Sequence, residues 1–290
     1  KKGSLQKSGG LLFLDEIQAT PSAIQALRYF YEDYPDLPVI AAGSLLEFVL
    51  AKHSFSMPVG RVEYLFLNPM TFEEVLQASD EMDLLNLLNQ YSHGDIIPDT
   101  AHQRLLEHQR KYLLIGGMPE AVGQFIESGS FMEASDVQAS ILETYRDDFS
   151  KYASQAELLR LHKIFDYVPG AVGEKLKYVR IDPHETAREL RKALDLLVKA
   201  RIINLCFHSD ATGFPLKALL NRRIFKPFFL DCGLMNFLCG FRNITMNQLL
   251  RREFVNEGKM AEQFIAQHLL TIERSNVNVD LFYWLGESKK

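Results

Sequence analysis

The sequence has little that would place it in a membrane, outside the cell or on nucleic acid. Apolar runs such as Leu11–Leu14 and Val39–Ala42 are short, far below the roughly 20 consecutive apolar residues that span a bilayer. No charged stretch leads into an apolar run at the N-terminus, so no secretory signal is read there. Cysteine is scarce: Cys206, Cys232 and Cys239 are an odd number without the paired spacing of a metal site. They read as reduced core thiols in a cytoplasmic setting. Basic excess is absent too, with 32 Lys and Arg against 37 Asp and Glu, a net charge of -5. Contact with nucleic acid is therefore confined, on this reading, to a local patch. Internal repeats and low-complexity segments are also missing.

What is present is a chain of 290 residues with 47% apolar content, enough for a sizeable core and, by length, about two domains. Both ends read as cut. The chain reaches a buried-type strand at Leu11, and it stops at Lys290 soon after the strand-like Leu281–Trp284. Leu11–Leu14 is continuously apolar, as expected of a parallel strand buried on both faces. Thr20 is placed to cap a helix with Pro21 at its first position. That helix runs to about Asp33, with Ile24, Leu27, Tyr31 and Phe30 inward, and Pro35 and Pro38 end it. Val39–Ala42 is a second strand, which completes a right-handed βαβ unit. Arg61–Leu67 reads as a third strand.

From Thr71, where Glu74 completes a capping box, to about Phe149 the pattern is helical, broken at Gly116-Gly117-Met118-Pro119. Helices at Gln155–Tyr167 and Thr186–Ala200, with Leu190, Leu194, Leu197 and Val198 inward, precede strands at Ile202–His208 and Ile224–Leu230. Helix followed by hairpin is the order of a winged helix-turn-helix. A further helix from Glu253, with Met260, Phe264, Ile265 and Leu269 on one face, leads to the strand at Leu281–Trp284. The fold class is mixed α/β.

The chemistry sits at the end of the first strand. Hydrolysis of a nucleotide needs one carboxylate for magnesium and another for the attacking water. Asp15 and Glu16 follow Leu11–Leu14 directly and emerge at the C-terminal edge, where open α/β sheets bind ligands. Asp15 would hold magnesium through water, since that ion keeps much of its hydration shell, and Glu16 would act as base. Four apolar residues before Asp-Glu are also what a solvated strand end looks like. The second strand adds weight, because Gly43-Ser44 ends it one crossover later, and a hydroxyl there lies beside the carboxylates. Ser44 is equally placed to cap a helix over Leu45–Ala51.

Leu-Leu-Phe-Leu-Asp-Glu-Ile-Gln, then Ala-Ala-Gly-Ser-Leu-Leu-Glu-Phe, Val59-Gly60-Arg61-Val62 and Leu67-Asn68-Pro69-Met70-Thr71-Phe72-Glu73-Glu74 together resemble the prokaryotic AAA-family ATP-binding proteins with a C-terminal domain of unknown function. Gly116–Glu120, Tyr145–Phe149 and Phe225–Leu234 extend the resemblance over nearly the whole chain. It implies that Asp15 and Glu16 are the Walker B pair, that Ser44 is the sensor-1 position, and that ATP and magnesium are cofactors of the full-length family. It also implies a division into the C-terminal part of a P-loop ATPase core (1–70), a helical lid (71–150), a winged-helix-like domain (151–245) and an incomplete restriction-endonuclease-like α/β domain (246–290). Glu262 would lie on the first helix of that last domain; one carboxylate cannot make a nuclease site, so no nuclease activity is expected.

The family's Gly-x-x-x-x-Gly-Lys-Thr/Ser loop does not occur in this sequence: Lys7-Ser8 precedes Gly9-Gly10 rather than following it. Without that loop the phosphates lose their backbone cradle and lysine, so these 290 residues are expected to be inactive by themselves. AAA rings complete each site with a neighbour's arginine, which makes the chain a candidate homo-oligomer and Arg61 the candidate finger, against a simpler role as a salt-bridged strand end. Arg146, between Glu143 and Asp147-Asp148, reads as a local ion pair. Arg188, Arg191, Lys192, Arg222 and Arg223 on the helix and hairpin would meet DNA phosphates. The alternatives are a merely solvated face and a contact with a protein partner.

Overall fold

A computed structural model describes residues 10–44, 46, 60–210, 212–213, 215–242 and 257–285. The chain divides into two units, residues 1–66 and 67–290, the division lying close to the boundary expected after residue 70. The boundaries expected after 150 and 245 lie within the second unit. No helix among the described residues is long and apolar enough to cross a membrane.

In the first unit, β1 (Leu12–Leu14) pairs in parallel with β2 (Val39–Ala41), in the register Leu12↔Val39, Phe13↔Ile40 and Leu14↔Ala41. A single 3-10 turn (Ile17–Ala19) and α1 (Pro21–Asp33) form the crossover, the expected βαβ order. Pro21 opens α1, and Thr20 stands at its cap without a side-chain bond to it. Ile17 and Ile24 are buried beneath the crossover. Tyr31, expected inward, is exposed, because only a narrow stripe of the helix faces the sheet. The strands are not buried on both faces as expected either. Phe13 is 55% exposed and Ile40 48%, since among the described residues the two strands pair only with each other. Arg61–Leu67 forms no strand: it enters no ladder, and Leu65 and Leu67 face solvent. Of the helix expected at Leu45–Ala51, all but Leu46 lies outside the described residues.

The second unit opens with α2 (Phe72–Ala78), capped as expected. Glu74 N donates to the Thr71 hydroxyl while the Glu74 carboxylate accepts from Thr71 N at 2.7 Å. There follow α3 (Met82–Gln90), α4 (Asp99–Ile115), α5 (Pro119–Ser128), α6 (Phe131–Tyr152), α7 (Gln155–Ala171), α8 (Tyr178–Ile181) and α9 (Ala187–Lys199). Leu190, Leu194 and Leu197 of α9 are fully buried, the inner face its periodicity predicts. Strands β3 (Ile203–Ser209) and β4 (Leu220–Phe229) form the antiparallel hairpin, and α10 (Cys232–Leu238) follows.

After α11 (Glu257–Leu269), β5 (Leu281–Tyr283) adds in parallel to β3, giving the order β4-β3-β5. Helix α11 is not an unpartnered stub. Met260 and Gln263 are buried, and the Phe264 ring meets those of Phe72 and Tyr112 edge-on. Ile265 and Leu269, expected on that face, are exposed; the inward positions go instead to Gln263 and Gln267. The reason is that α11 packs against ends of backbone, which need hydrogen-bonding partners. The Gln263 amide bonds both Phe229 N and Phe229 O, and Gln267 Oε1 accepts from Cys232 N. Phe72 N donates to His268 Nε2 at 2.8 Å. The ring's proton is therefore on Nδ1, which meets Phe264 O.

Asp231 is a carboxylate with no exposed surface. Its carboxylate caps α10 by accepting from Leu234 N at 3.0 Å, and it accepts from Gly117 N at 2.7 Å and Gln267 Nε2 at 3.2 Å. Burial raises its pKa, and these N–H donors pull the other way. Gly116 passes so close, at φ +79°, that a Cβ there would lie 2.0 Å from Asp231 Oδ1. Gly116-Gly117 and Asp231, more than a hundred residues apart, thus form one joint.

Two outcomes follow from these contacts. Every neighbour of the Asp231 carboxylate is a donor, so Asp231→Asn sets an amide N–H against another N–H in either orientation. Urea unfolding should show a loss of about 1–3 kcal/mol, and unchanged stability would contradict the joint. The exposed β1–β2 face should make the 290-residue chain self-associate, and Phe13→Lys should reduce the association seen by light scattering. A wild-type monomer that stays monodisperse for days would contradict that.

Candidate active site

Parallel pairing sends the C-terminal ends of β1 and β2 to the same edge. Two hydrogen bonds continue the register past the strands, Ala42 N to Leu14 O at 2.8 Å and Ile17 N to Ala42 O at 3.0 Å. They bring Asp15-Glu16 and Gly43-Ser44 together. Asp15 is exposed, and its Oδ1 accepts from Glu16 N at 3.0 Å. Glu16 adopts left-handed backbone (φ 49°, ψ 42°), which non-glycine residues seldom enter. That single residue turns the chain from β1 into the 3-10 turn.

Gln18 is the residue the sequence did not single out. It is 6% exposed. Its amide nitrogen donates to Glu16 Oε2 and lies 3.3 Å from Ser44 Oγ. The structure thus joins Glu16 and Ser44, two predicted site residues, through a third. Gln18 Oε1 is buried without a partner among the described residues, and a Cβ at Gly43 would lie 2.2 Å from it. A glycine before Ser44 is what makes room for the glutamine. In the sequence, a Gln two residues after Glu16 carries no sign that it turns inward.

Arg61 lies against α1, where its Nε donates to Glu32 Oε1 at 2.8 Å, and Arg28 Nε meets the same oxygen at 2.9 Å. The salt-bridged reading of Arg61 thus has a partner within its own unit. The hydrogen bond from Arg28, opposed by desolvation and aided by Arg61, holds the Glu32 carboxyl below its ordinary pKa. Arg146 is paired as its neighbours suggested, with Glu143 at 3.1 Å, and also with Asp166 at 2.7 Å.

The basic positions of the helix and hairpin are unequal. Arg191 is tied to Asp195 and Lys192 to Glu189, each at 2.8 Å. The β3–β4 register steps from Phe207↔Phe225 to His208↔Asn221, which leaves Arg222 and Arg223 outside the ladder and exposed. Glu262 is paired with Lys226 at 2.8 Å.

Magnesium is commonly held by one or two carboxylates, with waters and phosphates filling its remaining positions. Asp15, exposed with Oδ2 directed to no described partner, fits one such place. Among the described residues no group of three or more His, Cys, Asp or Glu is arranged to hold a metal by itself. The lysine and glycine loop that would cradle a triphosphate is not in the sequence.

Two families match separate parts of the chain. Residues 2–76 match the family described as AAA domain, and residues 106–245 match the family described as Domain of unknown function (DUF8612). No curated protein and no solved structure matches the chain. The first match contains Asp15, Glu16, Gln18 and Ser44, and the second contains the Gly116–Asp231 joint; taken together and in this order, the two match an AAA-family protein with a C-terminal domain of unknown function.

Proposed function

We propose that the first unit carries the magnesium and water half of an AAA-type ATP-hydrolysis site. Asp15 takes the cation, Glu16 positions the attacking water, and Ser44 stands at the end of the neighbouring strand. The observation that carries this reading is the chain Glu16–Gln18–Ser44 at the common edge of β1 and β2. A strand end that is merely solvated has no use for a buried glutamine spanning two strands. The left-handed Glu16 supports the reading as well: such backbone costs about 1–3 kcal/mol and gathers at functional sites.

In this arrangement Gln18 is a positioning residue. It donates to Oε2 of the exposed Glu16 carboxylate and leaves Glu16 Oε1 without a partner among the described residues. Gln18 also fixes the distance between the carboxylate and the Ser44 hydroxyl. Magnesium, when bound, neutralises charge on the phosphates. The cradle for those phosphates is not among the 290 residues, so no transfer step is assigned to them.

Two measurements test this. The 290-residue chain, titrated with a fluorescent ATP analogue, should show no micromolar affinity, and such affinity would overturn the part played by the missing loop. In a form of the chain extended to carry a phosphate loop, Glu16→Gln should lower ATP turnover by about 10²–10⁴-fold, the usual worth of a general base, and leave nucleotide binding intact. Asp15→Asn should weaken magnesium-dependent binding as well. Equal turnover in wild type and Glu16→Gln would remove the assigned role.

A further inference from the structure

Three helices of the second unit leave a groove between them. Helix α2 presents Phe72, Val75, Leu76 and the following Ser79. Helix α4 presents His108, Lys111, Tyr112 and Ile115, and α5 presents Val122, Phe125, Ile126 and the following Gly129. Each set repeats at i, i+3, i+4 and i+7, the pattern of a helix face that packs against something. Here the three faces meet around about 390 Å³ of open volume. Small-molecule sites occupy about 300–1,000 Å³. Thirteen residues line the groove, against roughly 20–30 a side in a standard protein interface. Its size suits a small ligand.

The polar groups at the groove are nearly all spoken for. The Tyr112 hydroxyl donates to Met70 O at 2.7 Å and accepts from Gln267 Nε2. Glu81 is paired with Arg104 at 2.5 Å and with His108 at 3.1 Å. Burial, and then the charge of Lys111, lowers the pKa of His108. Glu81 and Arg104 cancel, and one charge is left over: Lys111, half-buried, makes no ion pair or hydrogen bond among the described residues. An apolar cleft with one uncompensated cation at its rim is complementary to an apolar chain that ends in one negative charge.

We propose that this groove binds a small apolar monocarboxylate, its chain lying along Val75, Phe125 and Ile126, the walls that keep exposed surface, and its carboxylate meeting Lys111. All residues of this groove belong to the second unit, and the inference does not depend on the reading of Asp15, Glu16 and Ser44.

Isothermal titration with decanoate, decanol and decyltrimethylammonium, each below its micellar concentration, separates charge from apolarity. Decanoate should bind, decanol about tenfold more weakly, the worth of one charge-assisted hydrogen bond, and the cation not measurably. Lys111→Met should remove the preference for decanoate over decanol. Ile126→Trp, at a position 42% exposed and so tolerant of change, should block both. Three results would each overturn the proposal: equal binding of decanoate and decanol, decanoate affinity unchanged in Lys111→Met, or no decanoate binding up to about 1 mM. Binding of an acidic amphipathic helical peptide without binding of decanoate would also overturn it, and would make the groove a peptide site.

Discussion

The second unit depends on one buried carboxylate. Among the described residues Asp231 has no cation beside it. Its charge is met by N–H groups from Gly117, the first turn of α10 and Gln267 of α11. A buried polar group is tolerable only when hydrogen-bonded, so the three segments must arrive together. Their arrival sets much else. The Gly116-Gly117 break between α4 and α5 is where a side chain would collide with Asp231. Tyr112, one turn before that break, meets Phe72 and Phe264 edge-on and bonds Gln267. The core between α2, α4 and α11 is therefore organised around hydrogen bonds to main chain as much as around apolar area.

The same economy of contacts explains why α11 carries glutamines where leucines would be expected. Gln263 and Gln267 each bond the main chain near the β4–α10 turn, a stretch where irregular backbone would otherwise be buried with unmet donors. The helix closes over this turn, and its C-terminal end reaches back to α2 through His268. Residues 72 and 268, at nearly opposite ends of the unit's sequence, are therefore direct neighbours. The matched segment 106–245 contains the carboxylate, while two helices that complete the core around it lie outside that segment.

In the first unit the governing constraint is register. Parallel strands bring their C-terminal ends to one edge, and the bonds from Ala42 to Leu14 and Ile17 extend the pairing just far enough to set Glu16 and Ser44 on either side of Gln18. The apolar residues of the strands do not themselves make the site. They place two chain ends side by side, and the site residues follow from where the strands stop.

The sequence by itself determined what depends on neighbours along the chain. Periodicity marked the helices from Thr71 to Phe149 and the inner face of α9. The capping box at Thr71 and the break at Gly116–Pro119 were legible from local backbone chemistry, as was the βαβ order that brings Asp15 and Glu16 near Ser44. The strand expected at Arg61–Leu67 did not form, because a strand exists only where another offers its edge, and that is not written in a residue's propensity. Only the tertiary structure turned Gln18 inward, buried Asp231 among N–H donors, chose Gln263 and Gln267 over Ile265 and Leu269 as the inner face of α11, and set Lys111 at a groove. Each of these is a matter of which polar atoms meet across long separations in the chain. Hydrogen-bond partners at that distance leave no periodic trace, so apolar spacing alone could not reveal them.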